Sequence, residues 1–217
     1  IFACVRKIDN NFLSLIKKIQ KENNNKITPI ELDLSNKENV KEAGNKILSY
    51  EKDIDILVNN AGSISTSLFQ MTSIDKYKEL FEINFYSQIL FTQTILKSMM
   101  KIKRGNIIFI SSSSGIDGNE GRSAYASSKA AIIAQSKVLS RELGRYNIKV
   151  NTVAPGLTNT DMMKKNTPDK ILNEVISQIS LNRVGEPNEV ANVALFLSSS
   201  LSDYITGQVI RVDGGMW

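Results

Sequence analysis

The chain has 217 residues, of which 41% are hydrophobic and 23% charged, a balance typical of one globular domain with a sizeable core. It contains no histidine and one cysteine, which excludes Ser-His-Asp and Cys-His nucleophile arrangements and most zinc sites, so we expect no metal centre. The net charge is +5, but 27 basic residues are interleaved with 22 acidic ones, which argues against a nucleic-acid partner.

The compartment is predicted from the cysteine and from the absence of long apolar runs. Cys4 has no second cysteine with which to form an internal disulfide, and no signal-peptide pattern precedes it. We interpret Cys4 as a small buried hydrophobic residue. No apolar run is long enough to cross a bilayer. We therefore expect a cytoplasmic protein with no membrane partner.

Short β-rich runs alternate with longer segments of helical periodicity along the chain. Strands are predicted at residues 1–5, 27–33, 55–60, 106–111, 148–155 and 208–215. Helices are predicted at residues 11–22, 37–50, 74–100, 124–145, 168–180 and 186–198. Several of the strands are nearly continuous apolar runs, as in parallel sheets covered on both faces. The alternation predicts an α/β fold, a doubly wound parallel sheet in a single domain that spans residues 1–217.

Five short motifs follow one another at spacings that are typical of one family. They are NNAG at 59–62, Asn84, Ser112 followed by YxxxK at 125–129, PG at 155–156 followed by Thr160, and VDGGMW at 212–217. YxxxK alone is a weak signal, but the five in this order are specific. The chain resembles the classical short-chain dehydrogenase/reductase family, and within it the 3-oxoacyl-[acyl-carrier-protein] reductases, over essentially its whole length.

The resemblance implies a Rossmann-like fold whose opening is missing from this sequence. In the family, a first strand, a TGxxxGxG turn and a first helix come before the segment that starts here at Ile1. The N–H groups of such a turn hold the pyrophosphate of a dinucleotide. We expect either that these elements lie upstream of Ile1 or that the chain is a truncated, cofactor-free relative that acts as a binding or assembly subunit.

Tyr125 and Lys129 are the candidate acid and its partner. Residues i and i+4 share a helix face, so both side chains can point into one cleft. A nearby ammonium favours the phenolate, so we expect the pKa of Tyr125 to fall towards working pH and the phenol to serve as general acid. The resemblance implies that Lys129 also holds the nicotinamide ribose, that Ser112 hydrogen-bonds the substrate carbonyl, and that Asn84 anchors a proton-relaying water.

Two of these assignments have competitors in the sequence itself. Ser111 and Ser113 flank Ser112 in the SSSSG cluster, although the 13-residue step to Tyr125 and the following Gly115 favour Ser112. Asn84 lies on an otherwise apolar helix face, where its amide could simply hydrogen-bond the backbone.

The cofactor set follows from the resemblance, with NADPH favoured over NADH. Arg6 follows the first predicted strand, where an arginine accommodates a 2′-phosphate; the alternative is that Arg6 and Lys7 are solvated basic residues at a strand end. The remaining cofactor candidates are Asp33, Leu34, Asn60, Ala61, Gly62, Tyr125, Lys129, Pro155, Gly156 and Thr160.

The resemblance implies a 3-oxoacyl thioester substrate, a role in fatty acid biosynthesis and an acidic carrier protein as partner. Lys103, Arg141 and Arg145 are candidate docking cations, but Tyr146 stands where the family has its second docking arginine. A sugar derivative or a secondary alcohol is therefore an alternative substrate. Residues 159–179 are predicted to form a mobile lid. The resemblance also implies a homodimer or homotetramer that pairs through the helices at 74–100 and 124–145.

Overall fold

Six parallel strands occupy the six segments in which the sequence predicts them. The computed structural model describes residues 1–216, so Trp217 of the VDGGMW motif lies outside the described residues. β5 matches its predicted segment, β4 has the predicted length but starts one residue earlier, and the other four strands are shorter than predicted. They are β1 (Phe2–Val5), β2 (Thr28–Glu31), β3 (Ile56–Asn59), β4 (Gly105–Ile110), β5 (Ile148–Pro155) and β6 (Val209–Val212).

Nine helices connect and flank these strands within residues 1–216. They are α1 (Asn10–Asn23), α2 (Lys37–Leu48), α3 (Ile74–Phe81), α4 (Ser87–Ile102), α5 (Ser114–Asp117), α6 (Ser123–Leu143), α7 (Asp161–Asn166), α8 (Asp169–Ser177) and α9 (Pro187–Ser198). Among the described helices, none combines the length and the apolar character that a membrane-spanning segment needs.

The strands form two groups. β3, β4, β5 and β6 make one four-stranded parallel sheet in that order, whereas β1 pairs only with β2 in the described part of the chain. On one face of the larger sheet, Ile107 and Phe109 pack with α2, α4 and α6. On the opposite face, Ile108 and Val153 pack with α9. The α/β class is therefore confirmed, and the central strands β4 and β5 are covered on both faces as predicted.

The predicted helix at residues 74–100 is wrong in one respect. A π-helical turn, Glu82–Tyr86, separates α3 from α4. Asn84 lies inside this turn and is completely buried. A π turn adds one residue to a helical turn and is frequent at functional sites. The sequence also missed α7, which precedes α8 within the predicted lid segment.

Candidate active site

The candidate site lies at the edge of the sheet where the parallel strands end. β3 ends at Asn59, immediately before the rest of the NNAG motif, and β4 ends at Ile110, immediately before the serine cluster. α6 starts over the same edge, because the Lys129 ammonium in its second turn donates to the Ile110 carbonyl at 2.8 Å. Ligands of open α/β sheets bind at this edge.

Lys129 places a positive charge in an almost completely buried position. Its side chain is 4% exposed, and burial lowers the pKa of its ammonium to about 8. The Nζ atom lies 6.0 Å from the centroid of the Tyr125 ring. An ammonium has three N–H donors, and the described contacts use one of them, on the Ile110 carbonyl.

Tyr125 is the buried acid candidate of the site. Burial raises the pKa of its phenol above the ordinary value, while the Ser112 hydroxyl and the charge of Arg122 act in the opposite direction. The expectation that a neighbouring ammonium brings this pKa down is therefore wrong, because desolvation outweighs the nearby charges. The consequence is a phenol that keeps its proton at neutral pH and can donate it.

The structure distinguishes the three competing serines. Ser111 Oγ donates to the Lys129 carbonyl at 2.8 Å, which makes Ser111 a link between β4 and α6. The Ser112 hydroxyl lowers the pKa of Tyr125, so it lies beside the phenol. Its Oγ also accepts from the Ser114 N–H at 3.2 Å. Ser113 is buried. The geometry therefore favours Ser112 as the group beside the acid, as the spacing predicts.

Asn84 joins the NNAG loop to α6. Its Oδ1 accepts from the Ser63 N–H at 2.7 Å, and its Nδ2 donates to the Ser63 carbonyl at 2.8 Å and to Ser128 Oγ at 2.9 Å. The alternative in which Asn84 hydrogen-bonds the backbone is thus present in the structure. Its role in a water relay stays a prediction. The sequence did not identify Ser63 or Ser128 as partners, although Ser128 lies inside YASSK.

Gly62 marks the point at which the NNAG loop meets both polar side chains. A Cβ atom at Gly62 would lie 3.1 Å from Asn84 Oδ1 and 3.3 Å from Lys129 Nζ. These distances are tighter than most Cβ contacts, so the absence of a side chain lets the loop approach. Asn60 and Ala61 are exposed next to it, and Gln88 Nε2 holds the Ala61 carbonyl at 2.7 Å.

Arg6 and Asp33 lie near each other at the ends of two paired strands. The Leu32 N–H donates to the Val5 carbonyl at 2.9 Å, which brings the two strand ends together. Hydrogen bonds from the Ser35 hydroxyl and N–H, at 2.7 and 2.9 Å, lower the pKa of the Asp33 carboxyl, and the charge of Arg6 adds to this. The neighbouring Leu34 is 8% exposed and belongs to the core, so its side chain does not face a ligand.

The PG segment is shaped by its packing against the C-terminal turn. A Cβ atom at Gly156 would lie 2.6 Å from the Asp213 Cβ, so glycine is required there. Pro155 ends β5 and its carbonyl accepts from the Ser113 N–H at 2.8 Å. Thr160 is the N-cap of α7, where its Oγ1 accepts from the Met163 N–H at 3.2 Å. The sequence did not predict this capping role.

The residues present fit the two ends of a dinucleotide. Lys129 carries unused N–H donors in a buried position, which suits the hydroxyl oxygens of a ribose. Arg6 supplies an exposed cation next to Asp33 at the other end of the edge. The glycine-rich turn that would hold the pyrophosphate is not part of this sequence.

The three candidate docking cations do not reach this site within the chain. Lys103 follows α4 just before β4, and Arg145 lies just before β5, so both are at the opposite edge of the sheet. Arg141 lies 16 residues beyond Tyr125 in α6, or about 24 Å along the helix. Arg141 and Arg145 therefore lie away from Tyr125 of their own chain.

Comparisons with known proteins agree with this geometry. A family model described as enoyl-(acyl carrier protein) reductase matches residues 3–217. The chain is 39% identical over 191 residues to the 3-oxoacyl-[acyl-carrier-protein] reductase FabG of Thermotoga maritima, covering 88% of this chain and 77% of that protein. It is 42% identical over 188 residues to the FabG of Aquifex aeolicus, covering 87% and 75%.

A solved structure shows the same fold. The gluconate 5-dehydrogenase of Burkholderia cenocepacia, in complex with NADP and tartrate, superposes with a TM-score of 0.92 at 24% identity, covering 99% of this chain and 84% of that one. Together with the family model and the FabG relatives, this confirms the resemblance seen in the motifs. The chain belongs to the short-chain dehydrogenase/reductase family and is an NAD(P)-dependent oxidoreductase acting on CH–OH groups.

Proposed function

We propose that the chain is an NADPH-dependent reductase of 3-oxoacyl thioesters, with acyl carrier protein as the carrier of the substrate. The observation that carries the proposal is the buried Tyr125 phenol beside Ser112 and Lys129. The substrate class is supported by the FabG relatives, which are 39% and 42% identical to this chain. The same family membership favours an enzyme over the cofactor-free binding subunit.

In the proposed reaction, the protein's part is to place and protonate the carbonyl. Tyr125 keeps its proton at neutral pH because burial raises its pKa, and it donates that proton to the 3-oxo oxygen. The Ser112 hydroxyl orients the same oxygen. The nicotinamide, when bound, supplies the hydride to the carbonyl carbon. The charge of Lys129 stabilises the phenolate that forms when Tyr125 gives up its proton.

The test of this function is a comparison of substrates. The purified protein is mixed with NADPH and with either a 3-oxoacyl thioester or a ketose, and the consumption of NADPH is followed. We expect turnover of the thioester, with the 3-hydroxyacyl thioester as product. Turnover of the sugar alone would contradict the proposal.

A second candidate keeps the chemistry and changes the substrate to a sugar derivative or another secondary alcohol. The observation that favours it is Tyr146, which stands where the family has a carrier-docking arginine. Arg145 lies over the Tyr146 ring, with its Cζ atom 5.0 Å from the centroid. In this candidate the basic residues Lys103 and Arg145 are ordinary solvated cations.

The cofactor preference is proposed from Arg6. Its exposed guanidinium at the end of β1 suits the 2′-phosphate of NADPH. Changing Arg6→Ala should weaken the binding of NADPH by about tenfold or more and leave NADH within about twofold, because only NADPH carries that phosphate. Fluorescence titration with both cofactors measures this. The exposed neighbour Lys7 provides the control, since Lys7→Ala should leave the preference for NADPH in place. Equal losses of NADPH and NADH binding in the Arg6 variant would show that Arg6 is an ordinary solvated residue.

The oligomeric state, the compartment and the partner of the enzyme are also proposals. We infer a homodimer or homotetramer in the cytoplasm, in which acyl carrier protein binds near Lys103, Arg141 and Arg145. All three side chains are exposed at the edge of the sheet opposite to Tyr125. Docking at these cations would therefore serve the active site of a neighbouring subunit rather than that of the same chain.

A further inference from the structure

Arg122 is a cation at the candidate site that none of the motifs includes. It directly precedes α6 and lies three residues before Tyr125. Its side chain is half-buried, and Nη2 donates to the Asn166 carbonyl at 3.1 Å. Asn166 is the last residue of α7, in the predicted lid segment. Arg122 thus bridges the start of the catalytic helix and the end of α7.

The charge of Arg122 acts on the catalytic phenol. It lowers the pKa of Tyr125, against the larger effect of burial, and burial lowers the pKa of the guanidinium itself. Lys129, the other cation of the site, directs its Nζ to the Ile110 carbonyl at the end of β4. Two partly or fully buried cations, Arg122 and Lys129, therefore lie near the phenol.

The guanidinium has more donors than the fold uses. It carries five N–H groups in a rigid fork, and the described contacts use one nitrogen, on the Asn166 carbonyl. Among the ion pairs of residues 1–168 and 170–216, none includes Arg122. A half-buried cation with spare donors next to a catalytic acid is a suitable contact for an acceptor oxygen of the substrate.

We propose that Arg122 is a specificity-determining residue that binds the thioester carbonyl of a 3-oxoacyl substrate while Tyr125 binds the 3-oxo oxygen. The inference rests on the proposed function. Arg122 directly precedes α6, three residues before Tyr125, and the charge of its long side chain acts on the phenol. A 3-oxoacyl thioester carries two acceptor oxygens on alternate carbons, which matches a pair of neighbouring donors. A simple ketone offers only one.

The test uses two substrates that differ in one oxygen. The first is the 3-oxobutanoyl thioester of N-acetylcysteamine, and the second is its thioether analogue, in which a methylene replaces the thioester carbonyl. Arg122→Met keeps the length of the side chain and removes its donors. We expect kcat/KM for the thioester to fall by about 10- to 100-fold, and kcat/KM for the thioether ketone to fall by no more than about threefold.

Two further variants test whether the effect comes from the N–H donors of the Arg122 guanidinium or from the loss of a positive charge. Lys165→Met removes an exposed cation from the same α7 helix and should leave the ratio of the two kcat/KM values unchanged. Arg122→Lys keeps the charge that acts on Tyr125 and loses the fork, so it should recover only part of the preference for the thioester. Thermal unfolding and NADPH titration check that each variant is folded and binds cofactor.

The outcomes distinguish this inference from the function on which it rests. Wild-type turnover of the thioester reports on the proposed function, whereas the ratio of the two substrates in Arg122→Met reports on Arg122. Equal losses on both substrates would overturn the inference, because they would assign Arg122 to packing or to the pKa of Tyr125 alone. An Arg122→Met variant whose kcat/KM values and substrate ratio equal those of the wild type would overturn the inference as well. A wild-type protein inactive on the thioester but active on the ketone would overturn both.

Discussion

Lys129 carries a charge that the fold buries without a carboxylate nearby. Its pKa falls from the ordinary 10.5 to about 8 because burial disfavours the ammonium. Between these two values the unfolded chain binds a proton that the folded chain has released. Stability therefore rises with pH across this interval, and below about pH 8 the folded protein bears the full cost of a buried ammonium.

The Lys129→Met variant should remove this dependence on pH. For the protein without cofactor, the change in the free energy of unfolding between about pH 7.5 and 9.5 should be more favourable by about 2 kcal/mol in the wild type than in the variant, because only the wild type carries the Lys129 ammonium. Urea unfolding at the two pH values measures both. Lys165→Met, which removes an exposed lysine, should keep the wild-type increase. A variant at position 129 that retains the full increase would show that another group causes it.

At the residue scale, the sequence predicted the relative positions of the site residues better than it predicted the direction of their pKa shifts. The spacing of Tyr125 and Lys129 predicted that they share a helix face, and their ring-to-Nζ distance of 6.0 Å agrees. The direction of the Tyr125 pKa could not be predicted, since desolvation depends on tertiary neighbours. Arg122 was missed because a lone arginine three residues before a tyrosine has no recognised pattern.

At the scale of elements, the site depends on how closely α5 packs against α6. Gly115 lies in α5, and a Cβ atom there would lie 2.9 Å from the Lys129 carbonyl carbon and 3.0 Å from the Ala130 nitrogen. Both are backbone atoms, which cannot move aside as a flexible side chain can. The distance between the serine cluster and the start of α6 is therefore set by the absence of a side chain at Gly115.

Gly115→Ala should push α5 and α6 apart. We expect a loss of about 1–3 kcal/mol in unfolding free energy, and a fall in kcat/KM of about tenfold or more because Ser112 moves relative to Tyr125. Gly144→Ala is the matched control, since Gly144 has helical dihedral angles and its Cβ would meet nothing within 4 Å. That control should be neutral or stabilising by up to about 1 kcal/mol. Wild-type activity and stability in the Gly115 variant would show that α5 and α6 accommodate the added methyl group without moving Ser112.

The elements themselves were largely predictable from periodicity. All six strands lie where apolar runs indicated, and the segments 37–50 and 186–198 contain α2 and α9. The π turn at Glu82–Tyr86 was not predictable, because its buried Asn84 has its partners far along the chain. Asn84 bonds to Ser63 and Ser128, which are distant in sequence, and no local pattern reports such bonds.

At the scale of the whole molecule, the sheet is divided between β1 and β3. Ile56 and Val58 on β3 are 46% and 44% exposed, although their neighbours in the same sheet are buried on both faces. The resemblance predicted a sheet whose first strand is missing from this sequence, and apolar runs alone indicate strands without showing which strands pair. Arg6 and Asp33 follow β1 and β2, so both lie with the two-stranded group.

The two edges of the sheet have different roles in this account. Tyr125, Lys129 and Ser112 lie at the carboxyl edge, whereas Lys103 and Arg145 lie at the amino edge. Sequence spacing predicted the first group, since its members are close along α6 and the preceding strand. The location of the second group required the fold, because a helix of 21 residues carries Arg141 far from Tyr125.

The measurement that tests the central claim most directly is NADPH-dependent reduction of a 3-oxoacyl thioester by wild-type protein and by Tyr125→Phe, with NADPH titration of both. The variant removes the acid and keeps the ring that packs in the site. We predict a fall in kcat of at least about 100-fold, with the Kd for NADPH within about twofold of wild type. A variant that retains a substantial rate would contradict the assignment of Tyr125 as the proton donor.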